Sequence, residues 1–432
     1  MRTRRSIESR WRSGALAALV LAASLAWGVP ERLRAQAAPS SGGRFALAGC
    51  TVYVGPAEAA IPNGVVLVED GRIVAVGPAG SVELPANAEL IDCSGGAVTA
   101  GFWNSHVHFM ERKWARAESL PAAELAAQLE EMLTRYGFTS VFDTGSMWDN
   151  TRRLRERIES GDVAGPRVRS TGETLVPPGA APPELILDIK GSMRIATPEV
   201  AKGEEARAAA ARLLDAGADG IKLYAATWAP PIVTLTAGAV EAAAAGAHRR
   251  GEPGFAHPSN REGLLAAVGG GVDVLVHTAP KSGPWEEELV AAMRAADVAL
   301  IPTLKLWGYE LRHDRISARE RFVEGGIDQL ATWLAAGGTV LFGTDVGYMA
   351  DYDPTEEYVF MAAAGMDFRQ ILASLTTAPA GEFGESAARG RIAPGLAADL
   401  VVLDRDPASD VRAFAEVRYT MRDGRLIYRT AP

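Results

Sequence analysis

Cysteine is almost missing from this sequence: two residues, Cys50 and Cys93, in a chain of 432. So few thiols exclude a disulfide-stapled scaffold and a thiolate zinc finger. Aromatic residues make up only 7% of the chain, which argues against a stacking-rich nucleic-acid binder. Positive charge is also in deficit, with 44 Lys and Arg against 53 Asp and Glu and a formal net charge of -9. Polyanionic partners need a basic footprint, so no nucleic-acid partner is expected. What the chain does have is aliphatic bulk. Hydrophobic residues reach 48% and charged residues 22%, the balance of a folded globular protein with a sizeable core. The length exceeds one ordinary domain of about 150 residues, though a single α/β barrel can use more than half of it.

Residues 1–37 read as an address. Arg2, Arg4, Arg5, Arg10 and Arg12 form a basic start, Gly14 to Val29 an apolar run broken only by Ser24, and Ala35-Gln36-Ala37 a small-x-small cleavage pattern. That order belongs to a secretory signal. A membrane anchor is the competing reading, but the run is shorter than the roughly 20 residues a spanning helix needs, and Pro30 closes it. Arg4-Arg5 before Ser6-Ile7 faintly resembles a twin-arginine signal, so the export route stays open. Removing residues 1–37 moves the net charge from -9 to -14. The expectation is an exported protein, periplasmic or extracellular, with no membrane contact in its mature form. Cys50 and Cys93 could pair in such a compartment, but the favoured reading is two small buried hydrophobes.

After a linker at 38–43, residues 44–96 read as short strands, with Asp70-Gly71 as a hairpin turn. Residues 390–432 are similar, with strands at Asp399–Leu403, Val417–Met421 and Arg425–Tyr428 and a turn at Asp423-Gly424. Two β-rich ends around a long middle predict one small β-sandwich built from both termini. Residues 97–389 alternate apolar strand-like runs with Ala-rich amphipathic stretches at 121–136, 204–216 and 236–250. Alternating βα units predict a parallel sheet, and there are enough of them for an α/β fold of the (β/α)8 TIM-like barrel type.

The chemistry lies in the six histidines, four of which fall at or just after predicted strand ends. His106 and His108 form an H-x-H, and period-two alternation points both imidazoles to one side of a strand. Two imidazoles on one side can hold one borderline-soft metal ion. His257, His277 and Asp345 end three further strand-like runs, and barrel strand ends converge on one face. His248 and His313 read as solvated surface residues. Lys222 sits inside an apolar strand, where an ammonium is costly unless paired. It is either salt-bridged to a carboxylate such as Asp143, or a low-pKa amine that reacts with carbon dioxide to give an anionic, metal-bridging carbamate.

On these residues the chain resembles the metal-dependent amidohydrolase superfamily, in the exported branch near the imidazolonepropionase-like proteins and the metal-dependent dipeptidases and carboxypeptidases. Thr99 to His108 is similar to that family's opening motif and Gly390 to Asp404 to its closing motif. The resemblance implies that His106 and His108 bind a buried divalent ion, His257 and His277 a more exposed one, and carboxylated Lys222 bridges the two. Asp345 would bind the buried ion and act as general base. Zinc is favoured, with manganese, cobalt or iron fitting the same donors. Pro258 after His257 and Thr278 after His277 depart from the commonest pattern, so the substrate does not carry over.

Tyr224 is a candidate hydrogen-bond donor to a substrate carbonyl, and His277 a second candidate catalytic group. Lys305 and Trp307 are candidate substrate-binding residues, Lys305 as a point charge for a carboxylate. Trp114 and the loop from Thr174 to Pro183 are candidates to cover the site. The expected reaction is hydrolysis of an amide or peptide C–N bond in a small molecule, a dipeptide or N-acyl amino acid. A mononuclear deaminase or cyclic-amidine hydrolase is the alternative. A non-catalytic binding protein ranks lower, because no expected ligand is missing. Oligomeric state stays open, a homo-oligomer included.

Overall fold

The computed structural model describes residues 43–180, 197–227 and 232–430. The expected signal at 1–37, the linker apart from Gly43, and residues 181–183 of the covering loop lie outside the described residues.

Both termini contribute to one eight-stranded sheet. Its strands are β1 (Arg44–Val52), β2 (Ile61–Glu69), β3 (Arg72–Pro78), β4 (Glu89–Asp92), β5 (Ala97–Ala100), and later in the chain β14 (Leu400–Leu403), β15 (Val417–Arg422) and β16 (Arg425–Arg429). The order is β16-β15-β14-β5-β1-β2-β3, with β4 also on β1. The hairpins follow from local chemistry. Asp70-Gly71 and Asp423-Gly424 all take positive φ, between 48° and 80°, as a two-residue turn matched to strand twist requires. Hydrogen bonding joins the expected sandwich into a single branched sheet. The first half of β1 pairs β4 and its end pairs β5, while its ladder with β2 shifts register after Ala48 and Cys50. Ala97–Ala100, expected in the middle region, pairs β14 in this sheet. Cys50 and Cys93 are buried in its core with no disulfide between them.

The middle of the chain is α/β with two parallel sheets. One holds β6 (Phe102–Val107), β7 (Phe138–Asp143) and β8 (Arg167–Ser170). The other holds β9 (Ile221–Tyr224), β10 (Gly254–His257), β11 (Val274–Val276), β12 (Ala299–Ile301) and β13 (Thr339–Val340). Backbone bonds cross both seams between them. Ser105 N–H donates to Phe342 O (2.7 Å) and Asp345 N–H to His106 O (2.9 Å), while Asp219 N–H reaches Ser170 O (2.8 Å) and Tyr224 N–H reaches Leu175 O (2.9 Å).

The expected helices form at Ala122–Met132, Gly203–Asp215 and Ala237–His248. The last begins where the Thr236 hydroxyl accepts from Ala239 N–H, a serviceable cap for an otherwise unpaired donor. Strand alternation then places the site. Phe255 and His257 share a face of β10, so an apolar floor of Trp103, Phe142, Phe255, Val276 and Ile301 lies beneath the histidines. Among the described residues, no helix is long and apolar enough to cross a membrane.

Candidate active site

A cleft of about 140 Å³ opens above this floor. His106, His108, Lys222, His257, His277 and Asp345 all line it. The strand feeding Asp345 is shorter than expected. β13 stops at Val340, and residues 341–345 run beside β6 without regular pairing. Glycine makes that path available: a Cβ on Gly343 would stand 2.4 Å from Ile301 Cγ2 and 2.8 Å from His106 Cβ. His277 and Asp345 themselves sit at φ 74° and 62°, a left-handed conformation that costs energy in a non-glycine residue and persists where surrounding contacts hold it.

Three imidazoles are anchored by their outer nitrogens. His108 Nδ1 lies 2.9 Å from the Gly145 carbonyl, His106 Nδ1 2.7 Å from Thr144 Oγ1, and His277 Nδ1 2.5 Å from Thr303 Oγ1. A carbonyl only accepts, so a neutral His108 carries its proton on Nδ1 and turns the Nε2 lone pair inward. That lone pair is 2.9 Å from Asp345 Oδ1 and 3.3 Å from His106 Nε2. His106 Nε2 is 3.1 Å from the same carboxylate oxygen. Inward lone pairs and a carboxylate crowded this closely repel unless a shared proton or a cation lies among them. The donor chemistry therefore fits a metal ion. His106, His277 and Asp345 have donor atoms within 4.8 Å of one another, enough for one ion.

The protonation states agree. Burial pulls His106 down to about 3 and holds His257 and His277 well below the usual imidazole range, so these rings are neutral donors. Burial pushes the Asp345 carboxyl up, but the adjacent His106 and His108 outweigh it and keep the group well below the carboxylate range. Lys222, 3% exposed, is depressed by burial to about 7, against a smaller upward pull from Asp345. It does not pair with Asp143, whose carboxylate accepts instead from the Ser146 and Ser170 hydroxyls at 2.6 and 2.7 Å.

Other expectations fare unevenly. Tyr224 lines the cleft with its ring centroid 4.8 Å from that of His257. Trp307 lines it too, its indole N–H donating to Thr278 Oγ1 at 2.8 Å, so the threonine after His277 positions the tryptophan. Lys305 does not reach the cleft. Its ammonium is spent on the Asp351 carboxylate (2.8 Å) and the Asp353 carbonyl (2.6 Å), because helix Leu304–Glu310 turns that face toward the 351–353 loop. Trp114 is packed edge-on against Phe109 in the core and covers nothing, whereas Thr174 does line the cleft. His248 is half exposed and bonded to Asp273 (2.9 Å); His313 is exposed in the turn between two helices. Thr144 and Thr303 were missed, though Thr144 directly follows β7 and Thr303 lies two residues beyond β12; Lys281, Glu310 and Tyr348 had no local signal.

The threonine anchors are testable. Thr303→Val keeps the side-chain shape and removes the hydroxyl. It is expected to weaken metal retention about 10- to 100-fold in a chelator competition. Unchanged affinity would leave Thr303 a packing residue.

A family model described as the amidohydrolase family matches residues 97–427. No curated protein sequence gives a significant match. Among solved structures, a candidate prolidase from Bifidobacterium longum is 25% identical, with a TM-score of 0.76, covering 90% of this chain and 96% of that one. A prolidase complexed with N-methylphosphonate-L-proline is 25% identical, TM-score 0.73, with 90% and 100% covered. A Xaa-Pro dipeptidase with methionine in its active site shares the fold at 22% identity, TM-score 0.76, with 90% and 100% covered. The donor cluster above its apolar floor thus lies within a match that spans most of the chain, and the chain belongs to the amidohydrolase family, as a hydrolase of carbon–nitrogen bonds.

Proposed function

We propose that this chain is an exported, binuclear metal-dependent amidohydrolase that cleaves an amide or peptide bond in a dipeptide or N-acyl amino acid. One observation carries the reading: six donor residues line a single cleft, and three of the imidazoles are bonded away from it through Nδ1. The accompanying fold reading is one (β/α)8 barrel. It is supported by eight parallel strands, β6 to β13, and by the backbone bonds at both seams. The branched terminal sheet is read as the small sandwich domain, with Ala97–Ala100 included.

In this reading His106, His108 and Asp345 would hold one ion, His257 and His277 the other, and carboxylated Lys222 would supply a ligand to both. The neutral Lys222 amine adds to carbon dioxide and releases a proton, which makes a buried liability into an anionic ligand. Divalent ions bound there would polarise the scissile carbonyl and acidify the attacking water. The side chains do the rest. Asp345, already ionised, takes the water proton and returns it to the leaving amine. Burial raises the Tyr224 hydroxyl, so it keeps its proton and can donate to the carbonyl oxygen. Leu306 and Trp307 wall the cleft and exclude water around the reacting bond.

The tight grouping of His106, His277 and Asp345 favours a second reading, a mononuclear deaminase or cyclic-amidine hydrolase. Elemental mass spectrometry separates the two. Protein purified without chelators in bicarbonate buffer is expected to hold near two ions per chain and to cleave dipeptides or N-acyl amino acids. One ion, unchanged by added metal and bicarbonate, overturns the binuclear mechanism.

A further inference from the structure

The six donors aside, Glu310 and Lys281 are the only charged residues among those described that line the cleft. They approach from different elements. Glu310 ends the helix Leu304–Glu310, and Lys281 lies in the short turn Pro280–Ser282. Glu310 is held from across the cleft by the Tyr348 hydroxyl, which donates to its carboxylate. Tyr348 is placed by the loop that follows Asp345. There Gly347, at φ 94°, packs so tightly on the His108 carbonyl that a Cβ would stand 1.8 Å from its oxygen. The acidic lip is therefore tied to the same loop as the general base. Its surroundings are aromatic and apolar, with Trp307, Phe322 and Tyr348 around the opening.

We propose that Glu310, oriented by Tyr348, is the specificity-determining residue that admits substrates carrying an ammonium group beside the scissile bond, so that the substrate is an unblocked dipeptide rather than an N-acyl amino acid. This rests on the amide-hydrolase reading above and narrows it. Glu310 is exposed at an opening walled by aromatic rings, and its carboxylate there attracts a cation. The aromatic faces beside it add cation–π attraction. Desolvation by the surrounding protein raises the Glu310 carboxyl above its ordinary range, against smaller downward pulls from the Tyr348 hydroxyl, Arg312 and Lys281. Lys281 puts the opposite sign on the same rim. A zwitterion matches both groups, whereas an N-acyl amino acid leaves Glu310 facing apolar carbon.

The test uses metal-loaded enzyme and a matched pair, L-leucyl-L-alanine and 4-methylpentanoyl-L-alanine, which differ only in the α-ammonium. Wild type is expected to prefer the dipeptide by about tenfold or more in kcat/KM, mostly through KM. Glu310→Gln should bring the ratio near one by slowing the dipeptide alone. Tyr348→Phe should fall between. Equal rates in wild type, or an equal loss on both compounds in Glu310→Gln, overturns the role of Glu310 and leaves the amide-hydrolase reading standing. Hydrolysis of neither compound counts against that reading instead. Calorimetric titration of the same pair then decides the inference: binding of the dipeptide lost in Glu310→Gln upholds it, and equal binding of the two compounds overturns it.

Discussion

Lys222→Met is expected to make the metal-free protein more stable while removing its activity. Lys222 is buried, and its ammonium is depressed from 10.5 to about 7. Between those values the unfolded chain holds a proton that the native chain lacks, so wild-type stability rises with pH across that window. Below about pH 7 the penalty is at its full size, on the order of 5 kcal/mol as an upper bound. Methionine fills a similar volume with no charge to desolvate. The melting temperature of the chelator-treated variant should therefore exceed wild type clearly at pH 7 and converge with it toward pH 10.5. If the site is binuclear as proposed, metal content should fall from two ions toward one, and kcat/KM by roughly a thousandfold. Lys222→Ala adds a second readout. The vacated space should admit acetate or propionate, whose carboxylate would stand in for the carbamate and restore part of the rate. A Lys222→Met protein that keeps two ions and full activity would remove Lys222 from the mechanism.

Asp345→Asn is the second large effect. The carboxylate lies 3.1 Å from His106 Nε2 and 2.9 Å from His108 Nε2, and it is ionised throughout the neutral range. The amide keeps the shape but cannot take up a proton. General acid–base assistance contributes about 10²- to 10⁴-fold, so kcat should fall by roughly a thousandfold. The dichroism spectrum should be unchanged, because the backbone turn at Asp345 stays in place. The pH profile separates a base from a mere ligand. The residual rate should lose the acid limb that the carboxylate imposes and rise with hydroxide instead. A variant that loses metal but regains full kcat on reloading would assign Asp345 to binding alone.

Much of the site could be located from the chain itself. His106 and His108 share a strand separated by one residue, and alternation alone brings their rings to one side. The structure has them 4.9 Å apart, centroid to centroid. Lys222 stood out because an ammonium inside an apolar strand demands a reason. Lys305 shows where such reasoning ends. It and Leu306, its neighbour, both follow β12, yet the helical rotation between them sends one to the 351–353 loop and the other to the cleft. Trp114 failed for a similar reason, since its ring was free to face either the core or the opening. His277 groups with His106 and Asp345, and both His277 and Asp345 take left-handed backbone, which no local pattern foretells.

What the sequence determined by itself was local. Alternation put the histidines at strand ends, Asp-Gly turns closed the hairpins, and an Ala-rich rhythm marked the helices between strands. These features depend on a few neighbouring residues and on backbone sterics. Tertiary structure alone decided which partners meet. Thr303 reaches His277 across 26 residues, and Thr344 accepts from Asn104 across 240. Glu310 at a helix end and Tyr348 in a loop come together across 38 residues. Such contacts are set by the order in which strands pair and by how sharply the chain turns at each strand end. No short window of sequence carries that information, and it is there that the anchors of the metal donors and the charge at the cleft mouth are settled.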